Sequence, residues 1–346
     1  MTNSIVAGVV AFVLSWGVTT WLASSGNPLK ILDKPNERSL HDKVVPRTGG
    51  LAVLLAAAIG WSLAAPGLGI PADVLWWGGL AVLAVFGVSL ADDIRGIAPW
   101  LRLAVHFFAA AILLTRVVEG GDDHRSFFVI TLLLVVWTVN LYNFMDGMDG
   151  FAGGMGMFGF GFLALAAWRA DAGWLFGLTL VAAAANGGFL VINFPPARIF
   201  MGDAGSASMG LLVALFALWG IREGVYPVWV PILIFSPFIV DATITLLGRL
   251  FSGKKVWRPH RSHFYQRVVQ AGWGHRKTVL AEYLLMVTAG GSAVFLQTLS
   301  SPRQAAGLFG WVFIYIGCML GVYRLERCCV QKNWAGRNTD SAEEPF

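Results

Sequence analysis

Hydrophobic positions in this chain fall into long unbroken runs, not into the alternation of a strand or the one-sided stripe of a soluble helix. Eleven runs follow one another, at roughly 4–24, 49–67, 74–91, 100–118, 127–144, 150–168, 174–192, 205–221, 228–250, 278–298 and 305–323. About 20 apolar residues is the length that crosses a bilayer as helix, and helix satisfies its own backbone polar groups in lipid. The pattern predicts an all-α polytopic membrane protein of about eleven transmembrane helices, with polar residues gathered into the connections.

Composition agrees and fixes an expected orientation. Charged residues are 13% of the chain and hydrophobic ones 56%, against roughly 25% charged in a soluble domain. With the amino terminus outside and the carboxy terminus inside, 20 of the 25 Lys and Arg residues fall on inside segments and 5 outside, the bias of cytoplasmic loops. The net charge of +5 then reflects topology and contact with acidic headgroups, so membrane lipids are expected around the chain and no nucleic acid. The first run follows Met1-Thr2-Asn3-Ser4, without basic residues or a cleavage site, and reads as a retained helix. Cys318 lies in the last run and the adjacent Cys328 and Cys329 in the inside tail, and the three suggest no disulfide framework, since adjacent cysteines rarely pair. One integral membrane unit over 1–324 and a polar inside tail over 325–346, disordered after Arg337, complete the division.

The candidate chemistry lies in the inside connections. Residues 193–206, Asn-Phe-Pro-Pro-Ala-Arg-Ile-Phe-Met-Gly-Asp-Ala-Gly-Ser, form a short polar hinge between two apolar runs. Pro195 and Pro196 stop the helix before it. Asp203 opens the helix after it, either as an N-cap or as a functional acid. Asp92 and Asp93 repel each other unless a divalent cation or an arginine balances them, Arg95 being the nearest in sequence. In Asn140-Leu-Tyr-Asn-Phe-Met-Asp-Gly-Met-Asp-Gly150, the residues Asn143, Asp146 and Asp149 are three apart and would share one face of a helical turn. Packing does not explain three oxygen-bearing side chains at such a place.

Four further features are basic or buried. The segment 26–48 is dense in charge, from Lys30, Lys34, Arg38 and His41 to Arg47 before Thr48-Gly49-Gly50. It is either a solvated, headgroup-facing surface or a lip that attracts phosphate. His106, one turn into the fourth run, reads as a satisfied buried imidazole. Asp241 sits about 13 Å from the inside end of its run at 1.5 Å per residue, so it should face a polar cavity, Arg249 or a neighbouring helix. The longest inside loop, 251–277, carries Arg258, His260, Arg261, His263 and Arg267, with Gly274, His275 and Arg276 beyond. This cluster suits phosphate better than zinc, because cysteine ligands are missing.

Taken in order, Asp92-Asp93, Asn143-Phe-Met-Asp146-Gly-Met-Asp149-Gly, Phe200-Met-Gly-Asp203-Ala-Gly-Ser206 and His260-Arg-Ser-His263 resemble one family. It is the polyprenyl-phosphate N-acetylhexosamine-1-phosphate transferases, glycosyltransferase family 4. Pro46-Arg-Thr-Gly-Gly50 and Pro237…Asp241 also look like family features, and the likeness spans about residues 30–300. The His-Arg-Ser-His-Phe-Tyr-Gln form is similar to the branch that starts O-antigen chains and differs from the His-rich triplet of the muramoyl-pentapeptide transferases.

The resemblance implies a multi-pass enzyme of the bacterial cytoplasmic membrane that joins polyprenyl phosphate to a UDP-N-acetylhexosamine and releases UMP. It assigns Asn143 and Asp203 to Mg²⁺, with Mn²⁺ as the alternative ion. Asp92 and Asp93 would orient or deprotonate the lipid phosphate, and Asp146 and Asp149 would hold the nucleotide or a metal-bound water. Arg47, His260, Arg261 and His263 would grip phosphate or sugar. A covalent Asp nucleophile is the alternative route. A transporter or flippase of lipid-linked sugars is the alternative class, although such proteins often show internal repeats and mid-bilayer helix breaks. A homodimer is compatible with this reading.

Overall fold

The computed structural model describes residues 1–340 apart from 25, 28, 30, 34, 36–39, 41–42, 118–123 and 257–259, with side chains outside the description at 124 and 330–340. Lys30, Lys34, Arg38 and His41 of the charged inside segment, and Arg258, therefore lie outside the described residues. Helix dominates what is described. The chain runs through α1 (Thr2–Leu22), a two-residue antiparallel pair β1 (Leu32–Asp33) and β2 (Val45–Pro46), then α2 (Gly49–Ala64) and α3 (Gly79–Arg95). It continues through α4 (Pro99–Val117), α5 (His124–Phe144), α6 (Phe151–Arg169), α7 (Gly173–Asn193) and α8 (Gly202–Arg222). The last third holds α9 (Trp229–Ile234), α10 (Ser236–Phe251), α11 (Phe264–Val268), α12 (Gly274–Leu296) and α13 (Ser301–Asp340).

Nine helices among the described residues are long and apolar enough to cross a membrane, so the protein is an all-α polytopic membrane protein. Two of the eleven expected runs fall outside that set, for local reasons. The run at 49–67 is helical only over the 16 residues Gly49–Ala64, because Pro66 follows and cannot continue the ladder. The run at 228–250 is split at Phe235 into α9 and α10, since Pro237 enters the first turn of α10 without an amide to donate. The final helix runs beyond the expected boundary at 324 and past Arg337, where disorder is expected to begin, as far as Asp340.

Helix α8 is the hub: it packs against α2, α3, α4, α5 and α6 and is the most buried of the spans. Around it, α1 lies along α7 through a stripe of small residues, Ser4, Ala7, Gly8, Ala11, Ser15 and Thr19. Without a hydrophobic drive between helices in lipid, such stripes let backbones approach and van der Waals contact accumulate. Outward positions stay apolar, as at Leu83, Phe127 and Phe313.

One end of the bundle gathers the conspicuous polar segments. The backbone at 46–50 docks on the start of α8: Gly49 N donates to Phe200 O at 2.9 Å, Gly50 N to Met201 O at 2.8 Å, and Phe200 N to Pro46 O at 2.8 Å. Gly202 adopts φ +77, and a Cβ there would meet the Arg47 carbonyl oxygen and, at 3.1 Å, Asp93 Oδ2. Only glycine lets α8 begin so close to its neighbours.

Candidate active site

Three helix ends build the acidic part of the site. Asp92 and Asp93 occupy the last turn of α3, not a free turn after it. Asp93 is buried and reaches across to α8, accepting from Ala204 N at 2.9 Å and Asp203 N at 3.3 Å. Those are orphan amides of a helix N-terminus, which a carboxylate satisfies well. The cap of α8 is thus supplied by Asp93 from another helix. Asp203 itself is the second residue of α8 and caps nothing, which removes the capping explanation offered by its sequence position.

The charges are balanced by arginines other than Arg95. Arg47 Nη2 donates to the Asp93 carbonyl oxygen at 2.7 Å, and its Nε lies 3.6 Å from Asp93 Oδ1. Arg102, near the start of α4, places Nη1 against both Asp92 Oδ2 and, at 2.8 Å, Asp203 Oδ2. Asp92 Oδ1 also accepts from Ile97 N. Arg102, inside the fourth apolar run, is not among the sequence-predicted site residues. The signal that could have found it is a cation ten residues beyond an Asp-Asp pair that needs one.

Asn143, Asp146 and Asp149 do not share a face, contrary to their spacing. Helix α5 ends at Phe144, and Gly150 turns the chain with φ +74, so Asn143 and Asp146 meet the start of α8 while Asp149 turns away. Asn143 Nδ2 donates to Ser206 Oγ of α8 at 2.9 Å, leaving its amide oxygen as an acceptor. Asp146 is held well above the usual carboxylate range by burial and then by the charges of Asp203, Asp93 and Asp33, while a hydrogen bond from the Gly202 amide pulls the other way. Asp149 is buried and turned aside: Oδ2 accepts from Ala197 N at 3.0 Å, and Oδ1 sits 3.1 Å from His275 Nδ1. Both oxygens are engaged in tying the 145–150 turn to the 195–199 turn and to α12. Asn193 adds to that tie, accepting from Gly150 N at 3.0 Å and donating to Ile199 O at 2.8 Å.

The basic loop divides in the same way. Asp241 of α10 accepts from Phe264 N and Tyr265 N, both at 2.9 Å, from Thr245 Oγ1 at 3.1 Å, and lies 3.2 Å from His263 Nδ1. This acid is the anchor of α11 and not a partner of Arg249. His263 is buried between His260 and Tyr265, with ring centroids 5.0 and 5.9 Å away. His260 is half-buried, its Nδ1 3.0 Å from Ser262 Oγ. Burial first, then His263 and Arg249, lower its pKa to about 4, so the ring is neutral near pH 7. Arg261 is exposed. Arg267 is bound by Glu326, which takes it out of the expected phosphate cluster. Tyr265 Oη reaches Phe144 O at 3.4 Å and sets the loop beside the 143–147 turn. His106 stays apart from the carboxylates, buried against Asn140 at 3.4 Å.

A metal was expected at Asn143 and Asp203. Among the described residues, no three His, Cys, Asp and Glu side chains form a closed cage. Mg²⁺ does not need one: it uses one or two carboxylates and takes the remaining oxygens from water and substrate phosphates. Asn143 and Asp203 offer oxygen donors of the kind such an ion takes, the amide nitrogen of Asn143 being turned to Ser206.

The fold and the site define a polytopic membrane protein with a carboxylate–arginine centre at one end of its helices. Residues 75–221 match the sequence profile described as Glycosyl transferase family 4. The chain is 30% identical over 366 residues to the decaprenyl-phosphate N-acetylglucosaminephosphotransferase of Mycobacterium leprae, covering 92% of this chain and 90% of that protein. It is 29% identical over 316 residues to the probable undecaprenyl-phosphate N-acetylglucosaminyl 1-phosphate transferase of Bacillus subtilis, covering 86% of each. A phospho-N-acetylmuramoyl-pentapeptide-transferase of Lacticaseibacillus paracasei is 29% identical over 290 residues, covering 75% of this chain and 86% of that protein. The chain belongs to glycosyl transferase family 4, and it is a membrane enzyme of that family.

Proposed function

We propose that the protein transfers N-acetylglucosamine 1-phosphate from its UDP derivative to polyprenyl phosphate, on the cytoplasmic face of a bacterial inner membrane. The observation that carries this reading is the convergence of Asp92, Asp93, Asn143, Asp146 and Asp203 with Arg102 at one end of the bundle. The sugar follows from the names of the relatives in Bacillus and Mycobacterium. In the reaction, an oxygen of the lipid phosphate forms a bond to the sugar-bearing phosphorus of the donor. The bond from that phosphorus to the bridging oxygen breaks, and UMP leaves with the electron pair. The product, polyprenyl-diphosphate-sugar, begins an O-antigen or a related envelope glycan.

A lipid phosphate has its second pKa near about 6 and is largely ionised at neutral pH, so it needs little help from a base. The difficulty is bringing one anion onto another, which charge neutralisation and in-line positioning must overcome. Asn143 and Asp203 would hold Mg²⁺, which would supply charge neutralisation at the diphosphate. Arg102 offers a fixed cation to the same region. Asp93 and Asp146 fill the N-terminus of α8 themselves, so its position is set before substrate arrives, while Asp149 and His275 hold the turn carrying Asp146.

UMP release from UDP-N-acetylglucosamine, polyprenyl phosphate and Mg²⁺ in detergent tests the reading, with UDP-N-acetylgalactosamine and other UDP-N-acetylhexosamines alongside. Release that stops with EDTA and returns with Mg²⁺ is expected. Folded protein that releases no UMP from any of these donors would overturn it.

A further inference from the structure

Helix α13 is hardly embedded in the rest of the protein. Among its described side chains Trp311 and Tyr315 are the buried aromatic ones, and Phe309, Val312, Phe313 and Leu320 face outward. Among the described residues, polar contacts fix it at three places. Tyr315 Oη lies 2.5 Å from Ser236 Oγ at the start of α10, and Cys329 Sγ contacts Ala271 O at 3.0 Å. The third is a two-toothed ion pair: Arg267 Nε donates to Glu326 Oε1 at 2.7 Å and Nη2 to Oε2 at 2.6 Å. The same guanidinium lies over the rings of Phe264 at 4.8 Å and Tyr323 at 4.4 Å, and those rings meet edge to face at 6.1 Å.

This arrangement is more than a surface ion pair. Bidentate geometry fixes the plane of the guanidinium, and stacking on two rings fixes its depth, so little freedom is left. Arg267 and Phe264 both belong to α11, a helix of five residues that cannot hold itself together by its own hydrogen bonds. Its amino end is held by Asp241. Its other side is held by α13. The His260–His263 segment enters α11 directly, so whatever orients α11 orients those imidazoles.

We infer that Glu326 and Tyr323 of the final helix are positioning residues for the loop that carries His260 and His263: by clamping Arg267 and Phe264, α13 sets how that loop faces the donor. The inference rests on the transferase reading for the word donor, and on geometry alone for the clamp. Glu326 lies beyond the apolar run at 305–323, in the segment expected to be tail. The clamp lies outside residues 75–221, the stretch matched by the family profile.

The test is a double-mutant cycle in the purified full-length enzyme with Glu326→Ala, Arg267→Ala and both together. It reads trypsin cleavage after the exposed Arg261, KM and kcat with UDP-N-acetylglucosamine, and the apparent Tm. Either single change should speed cleavage and raise KM by roughly tenfold, with kcat altered much less, because displacement of a positioning group by about 1 Å costs on the order of 10–100-fold. The double variant should be no worse than the singles, as two halves of one contact are not additive. Glu326→Gln, which keeps one acceptor oxygen, should fall between, and it serves if Glu326→Ala does not fold. Wild-type cleavage and KM in Glu326→Gln and Glu326→Ala, or effects that multiply in the double variant, would overturn the inference. If the wild type released no UMP, the function would be refuted, while the cleavage rates would still judge the clamp.

Discussion

Asp203→Asn separates an acid that acts on substrate from an acid that only supports the fold. The change keeps size and shape and removes one charge beside Arg102. At 2.8 Å, two unit charges attract by roughly 6 kcal/mol at an effective dielectric constant of 20 and about 1.5 kcal/mol in water. The Asp203 side chain is 34% exposed and that of Arg102 26%, so solvent screening favours the lower figure. Part of that loss returns, because Asp93 and Asp146 no longer face a third carboxylate. An anion in the first turn of a helix is worth about 0.3–1 kcal/mol more. The net cost to the fold is then about 1–2 kcal/mol, small against roughly 5–15 kcal/mol for a typical protein. Removing one group that stabilises developing charge, by contrast, commonly lowers kcat on the order of 10²–10³-fold. Turnover should collapse while the protein stays folded. UMP release at saturating Mg²⁺, with size-exclusion profile and apparent Tm on the same sample, reads both quantities. A folded Asp203→Asn enzyme with kcat within roughly threefold of wild type would refute the reasoning.

Other expectations follow from the same geometry. Asp241→Ala leaves the amides of Phe264 and Tyr265 without their acceptor, so at about 1–3 kcal/mol for each orphaned group it should cost roughly 2–6 kcal/mol; an apparent Tm equal to wild type would remove Asp241 as the anchor of α11. His260 has a folded pKa lowered to about 4 against about 6.5 in the unfolded chain, so its contribution is intact above pH 6.5 and lost as pH falls toward 4. His260→Gln should flatten that acid-side decline in Tm, and parallel wild-type and variant curves from pH 7 to 4.5 would contradict the assignment. For orientation, single cysteines at Asn36 and Asp123 in a cysteine-free background should differ in intact cells, with an impermeant thiol reagent marking 123 and sparing 36. The opposite labelling would place the site on the wrong side of the membrane for a nucleotide-sugar donor.

Read along the chain, the amino acids determine a good deal. Apolar runs near 20 residues long demand helix in lipid, because lipid offers no partner to backbone polar groups and a helix satisfies them internally. Proline and glycine mark where helices end, as at Pro66, Pro195 and Gly150. Acid and amide residues at those ends mark where chemistry is worth seeking, since isolated charge in a membrane is costly. What the chain does not disclose is which residue meets which across a hundred positions. The three-residue spacing of Asn143, Asp146 and Asp149 suggests one face, but α5 stops at Phe144 and Asp149 turns away from the other two. Asp203 has the position of a cap, yet Asp93 supplies the cap from α3. Arg95 is the nearest cation to Asp92 and Asp93 in sequence, yet Arg102 and Arg47 reach them. Arg267 reads as a phosphate ligand until Glu326 is found against it. Each of these choices depends on distances set by helix packing, because charge pairing falls off over a few ångströms while the pairing residues lie far apart in sequence.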